Sequence, residues 1–156
     1  MKAILSMLFA LGLATTAIAQ PVGHYVNTRF HYSVDYPTDL LRPNEEAPNG
    51  DGRSFAVLLP TRADVRIWGG YNVQNRRPAD FARDMDETCG GRPGYRVVRP
   101  DLVAASCRVG QTIHYRKTLI RGDRTVTLSA QYLVGDRARL DRAVQVMANS
   151  LRVLAP

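Results

Sequence analysis

Along this chain, apolar and polar residues alternate in short blocks and twice shift to a helical period. Tyr32, Val34 and Tyr36 alternate with His31, Ser33 and Asp35 and stop at Pro37. That pattern predicts a strand, because successive side chains of an extended chain point to opposite faces and proline cannot donate to a ladder. Residues 38–52, TDLLRPNEEAPNGDG, are polar, proline-rich and without period, and read as a surface loop. Arg53–Leu59 and Val65–Tyr71 are apolar-rich runs joined by Pro60-Thr61-Arg62-Ala63-Asp64, which predicts a hairpin.

From Pro78 the period changes. Phe81, Ala82, Met85 and Cys89 share one helical face, with Pro78 in the first turn and Gly90-Gly91 as the stop. Short strands are predicted near Tyr95–Arg99 and Leu102–Val109, and longer ones over Thr112–Arg121 and Arg124–Val134, the last two joined at Gly122-Asp123. In the last strand Val126, Leu128, Ala130, Tyr132 and Val134 point one way, and Thr125, Thr127, Ser129, Gln131 and Leu133 the other. Asp136–Leu154 carries Leu140, Val144, Met147, Leu151 and Leu154 at helical spacing, with Asp136 or Asp141 favouring its first turn. Hairpin-spaced strands interrupted by helices predict the α+β class: an antiparallel β-sheet flanked by helices, an α/β/α sandwich.

The start of the chain belongs to a different pattern. MKAILSMLFALGLATTAIA has one lysine, an apolar run from Ala3 to Leu13 and small residues ending at Ala17-Ile18-Ala19. This reads as a signal peptide over 1–19, with cleavage after Ala19 and a single domain over 20–156. The apolar run is shorter than the roughly 20 residues that span a bilayer, so no membrane span is expected. The expected location is the periplasm or the medium.

Formal net charge is +7. Beyond residue 19 the basic residues are 19 arginines and a lone lysine, Lys117. Arginine presents a planar fork that suits carboxylates and phosphates, so an anionic partner is one reading of the excess and a solvated basic surface the other. The two cysteines, Cys89 and Cys107, are expected to pair as a disulfide in an oxidising compartment.

Catalytic and metal motifs are sparse. Asn49-Gly50-Asp51-Gly52 resembles part of a calcium loop, but an EF-hand type loop would need an acid at Ala47 and a glutamate at Leu58. It also lacks the lysine of a phosphate loop, and Asn-Gly and Asp-Gly are turn formers, so it reads as a turn that opens a strand. His24, His31 and His114 show no zinc-site spacing, no nucleophile elbow occurs, and only three glutamates are present. No cofactor, metal site or specific nucleic-acid surface is expected. Binding chemistry remains: Trp68 and Tyr71 flank Gly69-Gly70, Arg76-Arg77 follow, and Arg92, Arg96, Arg99 and Arg108 surround the cysteine pair. Trp68, Tyr71, Arg76, Arg77, Arg92 and Arg96 are the candidate partner-binding residues, by stacking and anion pairing. The competing reading places Trp68 or Tyr71 over the edge of the core.

FHYSVDYP at 30–37, NGDGRSF at 49–55, IHYRKTLI at 113–120 and LSAQYLVGDRARLDRAVQVMANSL at 128–151, with the helix between them, together resemble the Mog1/PsbP-like superfamily and its exported bacterial members. The resemblance covers nearly all of 20–156. It implies an α/β/α sandwich and a non-catalytic role in binding other proteins, and it carries over no catalytic residue. The function expected is therefore an exported binding or adaptor protein for another protein or an acidic envelope component. The alternative is an envelope hydrolase with a dispersed site drawn from groups such as Asp35, His31 and His114.

Overall fold

The computed structural model describes residues 21–155, so the expected signal segment lies outside the described residues. The elements run β1 (Val22–Asn27), β2 (Tyr32–Pro37), β3 (Leu41–Glu46), β4 (Gly52–Val57), β5 (Ala63–Tyr71), α1 (Pro78–Thr88), β6 (Tyr95–Arg99), β7 (Leu102–Val109), β8 (Thr112–Arg121), β9 (Arg124–Leu133), α2 (Arg137–Ser150) and β10 (Arg152–Val153). Seven strands form one sheet in the order β3-β4-β5-β9-β8-β7-β6, and a second sheet is ordered β1-β2-β10. All pairings are antiparallel. Helix α1 packs on β6, β7 and β8, whereas α2 packs on β2 and β9. The expected α+β sandwich is present, with its third layer divided between α2 and the small sheet.

The central strands follow their sequence pattern. Val126, Leu128, Ala130 and Tyr132 are buried in one core with Val65 and Ile67 of β5. Leu140, Ala143, Val144, Met147 and Ala148 complete it from α2, at the spacing that aligns side chains along one helical face. On the opposite face Thr127 and Ser129 are also buried, and Thr118 and Thr127 satisfy each other's hydroxyls at 3.0 Å.

Three segments differ from expectation. The proline-rich loop contains β3, whose lack of period reflects an edge position: Pro43 needs no partner there, and the register shifts between Pro43 and Glu46. The segment before Tyr32, for which the sequence pattern predicts no element, carries a strand, β1, whose inward residues are Tyr25 and the polar Asn27 while Val22 and Val26 face out. The final helix stops at Ser150 rather than Leu154. Ser150 Oγ turns back to the Val146 carbonyl and accepts from the Asp35 amide, Leu151 becomes extended, and Arg152-Val153 pairs with Ser33 and Tyr32.

The two sheets meet where side chains are missing. A Cβ on Gly52 would lie 2.0 Å from the Ile67 carbonyl oxygen and 2.8 Å from the Tyr32 hydroxyl, and one on Gly69 would lie 2.4 Å from the Phe30 ring. The Asn49–Asp51 turn, with Gly50 at φ 65, is held from above: Asn27 Nδ2 donates to the Gly50 carbonyl and the Tyr32 hydroxyl to that of Asp51. Asn27 also donates to Glu46 at 2.7 Å and accepts from the Phe30 amide at 2.8 Å. Gly52→Ala and Gly69→Ala should each lower stability by about 2 to 3 kcal/mol, because backbone or ring atoms must move. Gly70→Ala, whose added carbon would meet only Thr125 Oγ1 at 3.7 Å, should be near neutral. Denaturant titration of the three variants measures the difference.

Candidate functional site

Helix α1 accounts for two of the six candidate binding residues. Pro78 starts it, and Asp80 accepts from the Arg77 amide at 2.8 Å, a bond that holds the Asp80 carboxyl below its ordinary range. Arg76 donates to both oxygens of Asp84 at 2.7 Å, reaches the Asp80 carbonyl and lies 4.4 Å over the Phe81 ring. Its Nη2 is thus engaged within the chain. Arg77 extends into solvent, with Asp80 3.8 Å away.

At its other end α1 is tied to the sheet. Gly90 adopts φ 67 and the Gly91 amide returns to the Asp86 carbonyl, so Cys89 is delivered to β7, where it forms a disulfide with Cys107. Arg96 sits on the α1 side of β6 and donates to Asp86 at 3.0 and 3.2 Å, so it too is engaged internally.

Trp68 and Tyr71 part company because they are three residues apart on one strand. Tyr71 lies toward the core side, where it packs on Phe30 at 5.2 Å between ring centroids. Trp68 faces the other way and lines an open groove of about 510 Å³ with Gly52, Ser54 and Arg66. Three carboxylates, Glu45, Asp51 and Asp64, share that groove with two arginines, Arg53 and Arg66. Its charge does not favour an anion.

Of the six candidates, Arg92 alone opens onto a cationic depression, one that periodicity did not foreshadow. Because α2 covers β9 and β2, the α2 side of β6, β7 and β8 is left partly bare. Three adjoining depressions lie there, of about 370, 470 and 190 Å³, and all are lined by Tyr95. The charged residues lining them are Arg92, Arg99, Arg108, Lys117 and Arg137 against a single carboxylate, Asp141. Asp141 is itself occupied, accepting from the Tyr132 hydroxyl at 2.5 Å and from Arg137 at 3.2 Å. Tyr95 is 50% exposed at the mouth, while Tyr115 is half-buried and its hydroxyl pKa is pushed up by burial. The signal for this site was weak in sequence: Tyr95, Tyr115 and Lys117 face the same way only once β6 and β8 are registered through β7.

The groups nominated for a dispersed hydrolytic site do not converge. Asp35 pairs with His24 at 2.6 Å on the small sheet. His31 sits in a turn at φ 51, and His114 lies on the α1 side of β8, where partial burial and then Arg116 lower its pKa. Among the described residues no group of three or more His, Cys, Asp or Glu is placed to hold a metal, and no helix is long and apolar enough to cross a membrane.

The solution structure of cyanobacterial PsbP (CyanoP) from Synechocystis superposes with a TM-score of 0.59 at 12% identity, over 92% of this chain and 98% of that one. This chain has a PsbP-like fold. The fold expected from the sequence resemblance is therefore observed. A crystal structure from Bacteroides thetaiotaomicron matches at a TM-score of 0.52 and 13% identity, covering 85% of this chain and 48% of that one. No protein-family model matches the chain, and no curated protein sequence does.

In this PsbP-like domain the disulfide fixes the end of α1, and with it Arg92, beside the cationic depression. Bridging residues 18 apart should contribute about 3 kcal/mol by restricting the unfolded chain. The Cys89→Ser, Cys107→Ser double variant should lose that amount in denaturant titration. Reductant should lower the stability of the parent and leave the variant unchanged.

Proposed function

We propose that the protein is exported and acts as a non-catalytic binding or adaptor protein. It engages another protein or an envelope component through that partner's acidic groups. The observation that carries this reading is the charge of the depression around Tyr95, where five cationic side chains face one already occupied carboxylate. Arg92 and Arg108 make no ion pair among the described residues. Arg108 uses one donor on the Gly110 carbonyl and one on Gln111, two of the five its guanidinium carries. Exposed cations of this kind attract an acidic surface over about a Debye length, and tyrosine supplies contact area at small entropic cost. Export is supported by the N-terminal apolar segment together with the Cys89–Cys107 disulfide. His31, His114 and Asp35, the groups named for the hydrolase alternative, lie on different elements and faces, which favours the binding reading.

The test is capture from an envelope extract with residues 20–156 as bait, at low and at high salt. The expected result is an acidic component held at low salt, released at high salt, and lost when Arg92→Glu and Arg108→Glu are combined. Arg139→Glu, an equally exposed charge on α2 outside the depression, should retain it. Equal retention by the double variant, or capture of nothing, would overturn the assignment.

A further inference from the structure

The smallest of the three lobes holds Lys117, the lone lysine beyond residue 19. It stands in the middle of β8, between Ala104 of β7 and Leu128 of β9, on the side that faces α2. Its Nζ donates to the Ala148 carbonyl in the last turn of α2 at 2.5 Å. An ammonium has three donors, and this is the single hydrogen bond it makes among the described residues; no carboxylate pairs with it. The space beside it, about 190 Å³, shares Tyr95, Tyr115, Ala148 and Asn149 with the lobe of about 370 Å³. Val97, Leu102, Ala104 and the two tyrosines wall this space, and Lys117 and Arg99 bring two cations to it; a few convergent polar groups among apolar ones are the usual build of a small-ligand site.

We infer that this pocket is a seat for a small organic carboxylate, whose anionic end binds the Lys117 ammonium and whose apolar body lies along Tyr95 and Tyr115. A carboxylate supplies acceptors for the donors that Ala148 does not use, at the short distance of a charge-assisted bond. In the adjoining lobe Arg137 is already paired with Asp141, so a second anionic group would find no unpaired cation there, whereas a monocarboxylate can keep that end of the pocket for its apolar part. The inference rests on the binding reading of the depression and narrows it to a ligand class.

The electrostatics around Lys117 give the pH dependence a definite sign. Arg99 of β6 is the charged side chain that shares its lobe, Tyr95 and Tyr115 are the other titratable ones, and α2 contributes Ala148 and Asn149. Burial holds the Lys117 ammonium below the ordinary lysine range. A bound carboxylate stabilises the charged form and raises that value again. Binding is therefore strongest at neutral pH and weakens as pH rises through the Lys117 titration.

The probe is 4-phenylbutyrate, with 4-phenylbutyramide as its neutral counterpart. Residues 20–156, labelled with 13C-lysine, report through one side-chain signal. The acid should shift the Lys117 signal saturably and move its titration upward, and the amide should bind about tenfold more weakly. Lys117→Met should lose about the same factor in calorimetry. Tyr95→Ala, at the exposed mouth, should weaken the acid several-fold with the Lys117 signal still present, which covers the case in which Lys117→Met fails to fold. Equal binding of acid and amide, or an unmoved Lys117 signal, overturns the inference. Arg92→Glu with Arg108→Glu separates the two readings: it should abolish capture of an acidic partner and leave probe binding intact.

Discussion

The fold depends on how closely the small sheet can settle on the large one. At Gly52 and Gly69 the backbones of β4 and β5 come directly beneath Tyr32 and Phe30, leaving no room for a methyl group. Glycine is costly inside a strand, about 0.5 to 1 kcal/mol against alanine, and its presence at these two positions marks a close approach rather than a flexible point. Above the contact, Asn27 satisfies both ends of its amide with Glu46, the Gly50 carbonyl and the Phe30 amide. A buried side chain saturated in this way fixes register, because a displaced strand would leave its polar groups unpaired. The turn that superficially resembled a calcium loop is thus the piece on which the small sheet rests.

That placement decides what is left open. With the small sheet over β4 and β5 and α2 over β9, the α2 side of β6, β7 and β8 is incompletely covered, and α1 protects only the other side of these strands. The bare area becomes a depression instead of a flat face because α2 forms one wall and the strand edge at Tyr95 the other. Its charge follows from pairing elsewhere. Nine of the arginines form ion pairs with carboxylates among the described residues, and most of those carboxylates lie on α1 or in loops away from the depression. Apart from Arg137, which pairs with Asp141, the cations beside Tyr95 are therefore a remainder. Net charge alone would have counted Arg76 and Arg96 equally with Arg92, although the first two are already spent on Asp84 and Asp86.

Lysine in place of arginine at position 117 has a physical reason within this arrangement. The ammonium is compact enough to sit under α2 and meet one carbonyl, and its proton is released more readily than that of a guanidinium when it is desolvated. Burial lowers the cost of losing charge there, so a ligand that restores an anionic neighbour has a direct energetic handle on the site.

Much of the architecture was legible in one dimension. Period 2 in Val126 to Tyr132, period 3.6 in Leu140 to Met147, the proline start and glycine stop of α1, and the Gly122-Asp123 turn are local signals, and each appears as read. The α+β class followed from them, whereas the cysteine pairing followed from the presence of two cysteines and an expected oxidising compartment. Elements held by distant partners were less visible. β3 is an edge strand interrupted by Pro43, β1 buries a polar residue through a network of four segments, and β10 exists only because Ser33 and Tyr32 are there to pair with it. The grouping of side chains into a site was decided by tertiary structure alone. Trp68 and Tyr71 are separated by strand alternation, whereas Tyr95, Tyr115 and Lys117 are brought together by register through an intervening strand. Sequence determines which face of its own strand a residue occupies; only the packed sheets determine which of those faces remains uncovered.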